Sequence, residues 1–489
     1  MRYVIGIDVG TSGTKTVLFD ELGKVIASAT VEYPMYQPQN GYAEQDPADW
    51  YNAAISTIKT VITKSGVSNK DIVGIGLSGQ MHGLVILDEN DEVIRPAILW
   101  NDGRTEKEVE YLNFTVGKEK LSQYTANIAF AGFTAPKILW VKNNEPESFK
   151  KIRKIMLPKD YINYVLTGVH ACDYSDASGM LLLDVKNKCW SEEMLTLCGI
   201  TKDLLPSLYE SYEVIGKVKE EFGLPEAVVV AGAGDNAAAA VGTGTVGNGK
   251  CNISLGTSGT VFISSDSFSV DPMNALHSFC HADGNYHLMG CMLSAASCNK
   301  WLAEEILKEK DFALLQKEIN EEKLGKNSVY FLPYLMGERS PINDTDARGV
   351  FLGMTLDTRR EDMVLSVLEG VSFAIRDSLE VAKSSGIGIT ESFLVGGGAK
   401  SPLWRKILAN VLGIRLHILK TEQGPGFGAV ILAMVGTGLY KTVNEASREL
   451  CTVADTVYPE EGLASLYEDR YNKFRELYPA LKSVFKALR

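Results

Sequence analysis

The sequence predicts an α/β protein built from two copies of one βββαβ-type module, and three observations carry that prediction. The pentapeptide Gly-Thr-Ser-Gly-Thr occurs twice, at Gly10–Thr14 and at Gly256–Thr260. Each copy sits between runs that read as strands: RYVIGIDV and TKTVLFD around the first, CNISL and TVFISSD around the second. Each half also carries a continuous apolar strand run feeding a helix pattern, as in AVVVAGAGDNAAAAVG. Chance recurrence of turn-forming residues is the alternative, and the matching flanks argue against it.

The elements follow in order. After the first turn come a strand, a short turn at Glu21–Gly23, and the strand KVIASATVEY. The stretch DPADWYNAAISTIKTVITKSG reads as a helix, with Asp46 as N-cap, Pro47 at the first helical position and Gly66 past the end. DIVGIGLS is a strand, and GLVILDENDEVIRPAILW is a hairpin-like pair. Residues from about 105 to 224 are more irregular and richer in charged helices such as EPESFKKIRKIML, and read as an insertion. The core resumes at AVVVAGAGDNAAAAVG, and the opening pattern restarts at Cys251. NYHLMGCMLSAASCNKWLAEEI, ESFLVGGGAKSPLWRKILANVLG and PGFGAVILAMVGTGL supply further strand and helix units. The expected division is a first domain over 1–246, a second over 247–441, and a helical C-terminal segment, 442–489, packing back on the core.

Composition narrows the function. A chain of 489 residues has room for two or three domains, and 45% hydrophobic with 22% charged residues is a globular balance. A formal charge of −12 argues against a nucleic-acid or acidic-membrane partner. The apolar run GFGAVILAMVGTGLY is shorter than the ~20 residues that span a bilayer and reads as a buried helix. The N-terminus runs straight into a strand without the order of a secretory signal. Eight cysteines without a CxxC pair suit reduced thiols, so a cytoplasmic location is expected. His277, Cys280, His281 and His287 lack zinc-finger spacing and read as buried strand and turn residues.

Glycines let a turn converge its N–H groups and Ser/Thr hydroxyls add donors, so such a turn suits phosphate oxygens. It also suits an ordinary hairpin. No GxxxxGK[ST] occurs, and Lys15 follows the turn on a strand, so this is not a P-loop. Asp8 stands two residues ahead of the first turn, while the matching position in the second copy is Ser254. One carboxylate beside phosphates is what hydrated Mg²⁺ takes. The first turn is therefore expected on the metal and transferring-phosphate side, and the second on the nucleotide side. Asp235 lies at the end of a strand and the start of a helix, where ligands of open α/β sheets collect. A carboxylate there suits the base of phosphoryl transfer, and it equally suits an N-cap.

Taken together these segments resemble the FGGY family of carbohydrate kinases, within the actin/hexokinase-like ATPase superfamily. One family signature fits GFTAPKILWVKNN, with Thr134, Lys137 and Trp140 in place, and another fits GVFLGMTLDTRREDMVLSVLE. GLSGQMHG, PAILWNDGR, LPKDY, GDNAAAAVG, SLGTSG and SFCHA resemble the members that act on xylulose. The resemblance implies two ribonuclease-H-like domains of the actin/hexokinase type with the active site in a cleft between them. It implies Asp235 as catalytic base, with Asp8 and Asp235 holding Mg²⁺. Met81 and His82 would line the sugar pocket, where glycerol kinases carry Arg-Glu, with Asn236, Asp102 and Arg104 nearby. Thr11, Ser12 and Thr14 would serve the first phosphate turn and Thr257 the second. Gly397, Gly398 and Ser401 of VGGGAKS would hold the adenosine, with Ala296 and Asn299 beside them. Read alone, His82 also fits a core or surface position, Arg104 a salt bridge, and VGGGAKS an ordinary strand-to-helix turn.

The expected activity is ATP- and Mg²⁺-dependent phosphorylation of the 5-hydroxyl of D-xylulose to D-xylulose 5-phosphate, a step of D-xylose catabolism. A homodimer is compatible with it. The rivals are a sister kinase acting on another ketose, a polyol or gluconate, and a non-catalytic sugar sensor, which would be free to lose Asp8 or Asp235.

Overall fold

The first strand, Tyr3–Val9, is buried along most of its length, so it belongs inside a sheet. In the computed structural model, which describes residues 1–420 and 424–488, it pairs antiparallel with Gly13–Asp20, and that strand with Val25–Glu32. Residues 421–423 of the second module and residue 489 of the C-terminal segment lie outside the described residues. On its other side Tyr3–Val9 pairs parallel with Ile72–Gly79, which pairs parallel with Val228–Val230. A parallel neighbour needs a crossover, and helix Pro47–Ser65 supplies one. Asp46 caps this helix by accepting from the Ala48 N–H, Pro47 opens it, and Gly66 ends it at φ 67°.

The second sheet repeats the plan. Lys250–Leu255, Gly259–Ser265 and Tyr286–Met292 form an antiparallel trio, and Glu391–Val395 and Arg415–Leu419 extend it in parallel. Order and sense match the five central strands of the first sheet, as expected of two ribonuclease-H-like domains. Both GTSGT copies are hairpin turns, and Asp8 and Ser254 stand just ahead of them, but the registers differ by one residue: Asp8 faces Lys15, whereas Ser254 faces Thr260, the counterpart of Thr14.

Two local expectations are modified. The hairpin-like pair read in GLVILDENDEVIRPAILW is present as antiparallel bridges, Leu87 with Val93 and Leu84 with Ile98, and its arms also take distant partners: Val85–Leu87 pairs with Lys154–Met156, and Ala97–Ile98 with Glu44–Gln45. Runs this short leave their outer edges open, so distant strands add to them. The C-terminal segment is not all helix. Between Val443–Leu450 and Glu461–Ala487 lies an edge strand, Val453–Val457, paired with Arg415–Leu419 and too exposed to show an apolar pattern.

The apolar run near residue 430 is a buried helix, Pro425–Gly436, and no described helix is long and apolar enough to cross a membrane. It follows the second sheet in sequence but packs on the first. Gly6 and Gly76 lie beneath the carbonyls of Gly426 and Ala429, and Gly428 lies against Ala238 of helix Asp235–Gly242. The absent side chains let helix backbone rest on sheet backbone, with Phe427 stacked on Phe19 at 5.1 Å. All eight cysteines are free. His277, Cys280, His281 and His287 are buried, with His281 bonded through Nε2 to the Thr245 carbonyl at 2.8 Å.

Gly76→Ala would drive a methyl group into the Ala429 carbonyl. Overpacking against backbone costs about 1–3 kcal/mol, so the thermal midpoint should fall by roughly 3–10 °C, measured by calorimetry. An unchanged midpoint would mean that this helix is not seated on the sheet.

Candidate active site

Three neighbouring strands end at one edge of the first sheet. Asp8 lies beside Ser78, and Ser78 beside Ala233, in one register row. Asp235 follows two residues after Ala233, and Met81 and His82 follow Ile72–Gly79. The pairing thus brings residues from three distant parts of the chain together at the carboxyl ends of parallel strands. The Ser78 hydroxyl donates to Asp8 Oδ1 at 3.0 Å. Burial raises the Asp8 carboxyl above its ordinary range, against the Ser78 hydrogen bond and the charge of Lys15.

Asp235 is the first residue of helix Asp235–Gly242, whose N-cap is Gly234. The capping alternative therefore falls away. Burial, and then the charge of Asp8, push its carboxyl up to about 7 against hydrogen bonds from Asn236, whose Nδ2 donates at 2.9 Å. Gly234 is small because Met81 packs over it, and Gly232 takes φ 76° where it crosses the Leu77 carbonyl. Beneath this turn lies a buried charge cluster. Lys159 Nζ is 2.6 Å from Asp160, 3.1 Å from Asp173 and 3.9 Å from Asp176, and it donates to the Ala231 carbonyl at 3.1 Å. Burial disfavours the ammonium, but the carboxylates prevail and hold it protonated.

His82 adopts φ 69°, an uncommon conformation for a residue with a side chain and one met at functional loops. Its Nδ1 lies 2.8 Å from the Gly179 carbonyl. A carbonyl only accepts, so Nδ1 carries the proton and Nε2 presents a lone pair. Burial, and then the charge of Lys137, keep the imidazole neutral. The His82 carbonyl accepts from Thr134 Oγ1 at 3.1 Å and from Lys137 Nζ at 2.8 Å, and the same Nζ donates to the Gly132 carbonyl at 2.6 Å. Thr134 and Lys137 of the GFTAPKILW signature therefore act as a clamp on the His82 loop. Burial lowers the Lys137 ammonium to about 7.

Met81, His82, Asp235 and Asn236 line a cavity of about 430 Å³, with Phe133, Phe279 and Met289 as apolar walls and Thr257–Thr260 of the second turn opposite. A second cavity, about 750 Å³, is lined by Ala296, Asn299, Gly397, Gly398 and Ser401, together with Gln316, Phe312 and Trp404. Thr257 lines both, so the two spaces meet at the second turn. Ser401 also caps its own helix, accepting from the Trp404 N–H at 3.0 Å and donating to Gln316 Oε1 at 2.5 Å.

Three expected site residues face elsewhere. Asp102 and Arg104 do not line the cavity: both are buried, Asp102 accepts from Arg104 Nη2 at 2.7 Å, and Arg104 also pairs with Glu44 at 2.7 Å. The guanidinium is stacked 3.9 Å from the Tyr42 ring, so the salt-bridge alternative describes it. Thr14 is fully buried on its strand, its hydroxyl 3.4 Å from Tyr33. At the first turn, Ser12 is exposed, and Thr11 Oγ1 accepts from Trp100 Nε1 at 2.9 Å. Phe130, Gln316 and Arg339 had no sequence signal, because each reaches its cavity through long-range packing, whereas Trp100 and Phe133 lie inside PAILWNDGR and GFTAPKILWVKNN without having been singled out.

Asp8 and Asp235 repel one another and offer hard oxygen donors, and no described group of three or more potential ligands competes with them. Two carboxylates, with the remaining positions left to water and phosphate, fit magnesium.

Comparison with known proteins agrees with this geometry. Residues 3–242 match the N-terminal domain, and residues 251–437 the C-terminal domain, of the FGGY family of carbohydrate kinases. A xylulose kinase of Staphylococcus xylosus is 38% identical over 98% of this chain and its own whole length. One from Escherichia coli is 40% identical over 98% of this chain and 99% of its own. The ligand-bound xylulose kinase structure from Lactobacillus acidophilus, 28% identical, superposes with a TM-score of 0.94 over all of both chains.

Lys137→Met should loosen the His82 loop by taking the side-chain donor from the Gly132 carbonyl and leaving the His82 carbonyl to Thr134 alone. The expected result is a rise of about tenfold in KM for the sugar with KM for the nucleotide unmoved, read from initial rates. Equal rises in both constants would show that the clamp is not local to the sugar side.

Proposed function

The chain belongs to the FGGY family of carbohydrate kinases, and we propose from the geometry of its cleft the roles by which its residues act. The enzyme is a sugar kinase that phosphorylates xylulose. The observation that carries the role assignment is the shared cavity, with Met81, His82 and Asp235 on one side and the second turn on the other.

In this reading Asp235 is the general base. It accepts the proton of the primary 5-hydroxyl of D-xylulose as that oxygen attacks the γ-phosphorus of ATP; the bond from phosphorus to the bridging oxygen breaks, and ADP leaves. A carboxyl poised near 7 is matched to proton transfer at neutral pH. His82 Nε2 accepts a hydrogen bond from a sugar hydroxyl, and Met81 supports the carbon chain. Ala296, Asn299, Gly397, Gly398 and Ser401 hold the adenosine, and the phosphates run past Thr257 toward Thr11 and Ser12. Magnesium, when bound, would sit with Asp8 and Asp235 and offset the charge gathered between carboxylates and phosphates. Closure of the two modules would exclude water from the transfer.

A coupled ADP-release assay across D-xylulose, L-ribulose, D-ribulose, L-fuculose, glycerol and gluconate tests the substrate. D-Xylulose should give the highest kcat/KM, and a higher value on any other sugar overturns the assignment.

Asp235→Asn should lower kcat by about 10²–10⁴-fold while leaving the thermal midpoint unchanged or higher, since burial already penalises the charged form. The acid limb of kcat/KM should share this origin. As pH drops through about 7 the base becomes protonated, and activity falls toward tenfold per unit below that; a bound cation favours the carboxylate, so added Mg²⁺ shifts the limb to lower pH. Near wild-type turnover in a folded Asp235→Asn variant would remove the central residue of the mechanism.

Asp8→Ala should cut turnover while leaving calorimetric sugar affinity, without nucleotide, within about twofold of wild type. A loss of sugar affinity as large as the loss of rate would show that Asp8 belongs to the sugar side.

A further inference from the structure

The second module sends one cation into the sugar cavity. Arg339 lines it from the second module, is half-buried, forms no ion pair with any described residue, and hydrogen-bonds the Cys291 side chain. Its position is built. The Glu338 carboxylate accepts from the N–H groups of Arg339 and Leu293, each at 2.8 Å, and Glu338 and Asp344 exchange backbone hydrogen bonds at 2.8 and 2.9 Å. The Ser340 N–H donates to the Cys291 carbonyl at 3.0 Å. Both neighbours of Arg339 are thus tied to the end of strand Tyr286–Met292, and the guanidinium is carried across the cleft to 5.5 Å from the ring of Phe130 in the first module. Phe130 meets Phe133 edge-on at 5.6 Å, and Phe133 lies 4.8 Å from the His82 ring. That run of rings places Arg339 toward His82, and its charge is felt at His82, His277 and Cys291. Arg339 therefore faces the part of the sugar remote from the transferred phosphoryl group.

The chemistry of the walls is complementary. Asp235 and the His82 Nε2 lone pair accept, Asn236 does both, and a guanidinium only donates. An open-chain ketose carries hydroxyls and one group that only accepts, the C2 carbonyl oxygen. We infer that Arg339 is a specificity-determining residue that donates to the C2 carbonyl oxygen of the ketose across the closing cleft and so distinguishes ketose from polyol. The apolar rings around it exclude water and strengthen that bond.

This rests on the assignment of the cavity to the sugar, and the experiment separates the two. KM for D-xylulose and the inhibition constant of xylitol, its C2-hydroxyl counterpart, are measured for wild type, Arg339→Met and Arg339→Lys, with thermal midpoints on the same preparations. Loss of a charged hydrogen bond should raise KM for D-xylulose by about 10–100-fold in Arg339→Met. The xylitol constant should change by less than about threefold, and Arg339→Lys, which keeps a charged donor, should recover part of the ketose affinity. An unchanged KM for D-xylulose, an equal loss for xylitol, or a rise confined to KM for ATP overturns the inference. A wild-type enzyme inactive on D-xylulose would instead overturn the functional reading itself.

Discussion

Two carboxylates share one edge of the first sheet, Asp8 in the register row of Ser78 and Ala233 and Asp235 two residues beyond Ala233, and the rest of the structure answers to that constraint. Placing Asp8 and Asp235 here costs free energy: burial raises both carboxyls, and the charge of Asp8 raises Asp235 further. Such an arrangement persists only where the surroundings leave it no way to relax. The parallel strands fix the spacing, Ser78 holds one oxygen of Asp8, and Asn236 holds one of Asp235. In the proposed mechanism the same strain prepares the site for a cation, and for a base that takes a proton at neutral pH.

The braces follow a common principle: buried cations are spent on backbone carbonyls near the site. Lys159 holds the Ala231 carbonyl ahead of Asp235, and Lys137 holds the His82 and Gly132 carbonyls under the sugar loop. The two differ in their partners. Lys159 has three carboxylates within 4 Å and stays charged, whereas Lys137 has none that close and titrates near neutrality. Unsatisfied buried carbonyls are expensive, so such clamps give loops the precision of a core. They also explain why the helix Thr134–Asn144, which contributes no residue to the cavity, carries part of a family signature.

The duplicated module places its two copies to different use. The first contributes the carboxylates and the sugar loop, and the second contributes a turn whose position equivalent to Asp8 is a serine, a nucleotide-sized cavity, and Arg339. Helix Pro425–Gly436 joins them: it leaves the second sheet and rests on the first through glycines, against the helix that begins at Asp235. The seat is made by side chains as well: Phe427, Val430, Ile431 and Met434 are buried in the same core as Phe19 and Val230, so the helix is fixed to the first sheet.

The sequence by itself determined the duplication and the strands and helices with strong patterns. Asp8 and Asp235 stand at strand ends, where local chemistry is readable, whereas Met81, His82 and the glycines of VGGGAKS were expected in the site through the family resemblance. The sequence could not distinguish Arg104 from a ligand or Thr14 from a phosphate donor, because orientation depends on what lies opposite: Glu44 and Tyr42 for one, the buried face of a strand for the other. Tertiary structure alone decided that Asp235 opens its helix instead of capping it, that Lys137 serves His82, and that Arg339 crosses the cleft. The last two are contacts between segments tens to hundreds of residues apart, on which period, propensity and motif are silent, and the first turns on the backbone at Gly234, where a shift of one residue separates a cap from a helix start.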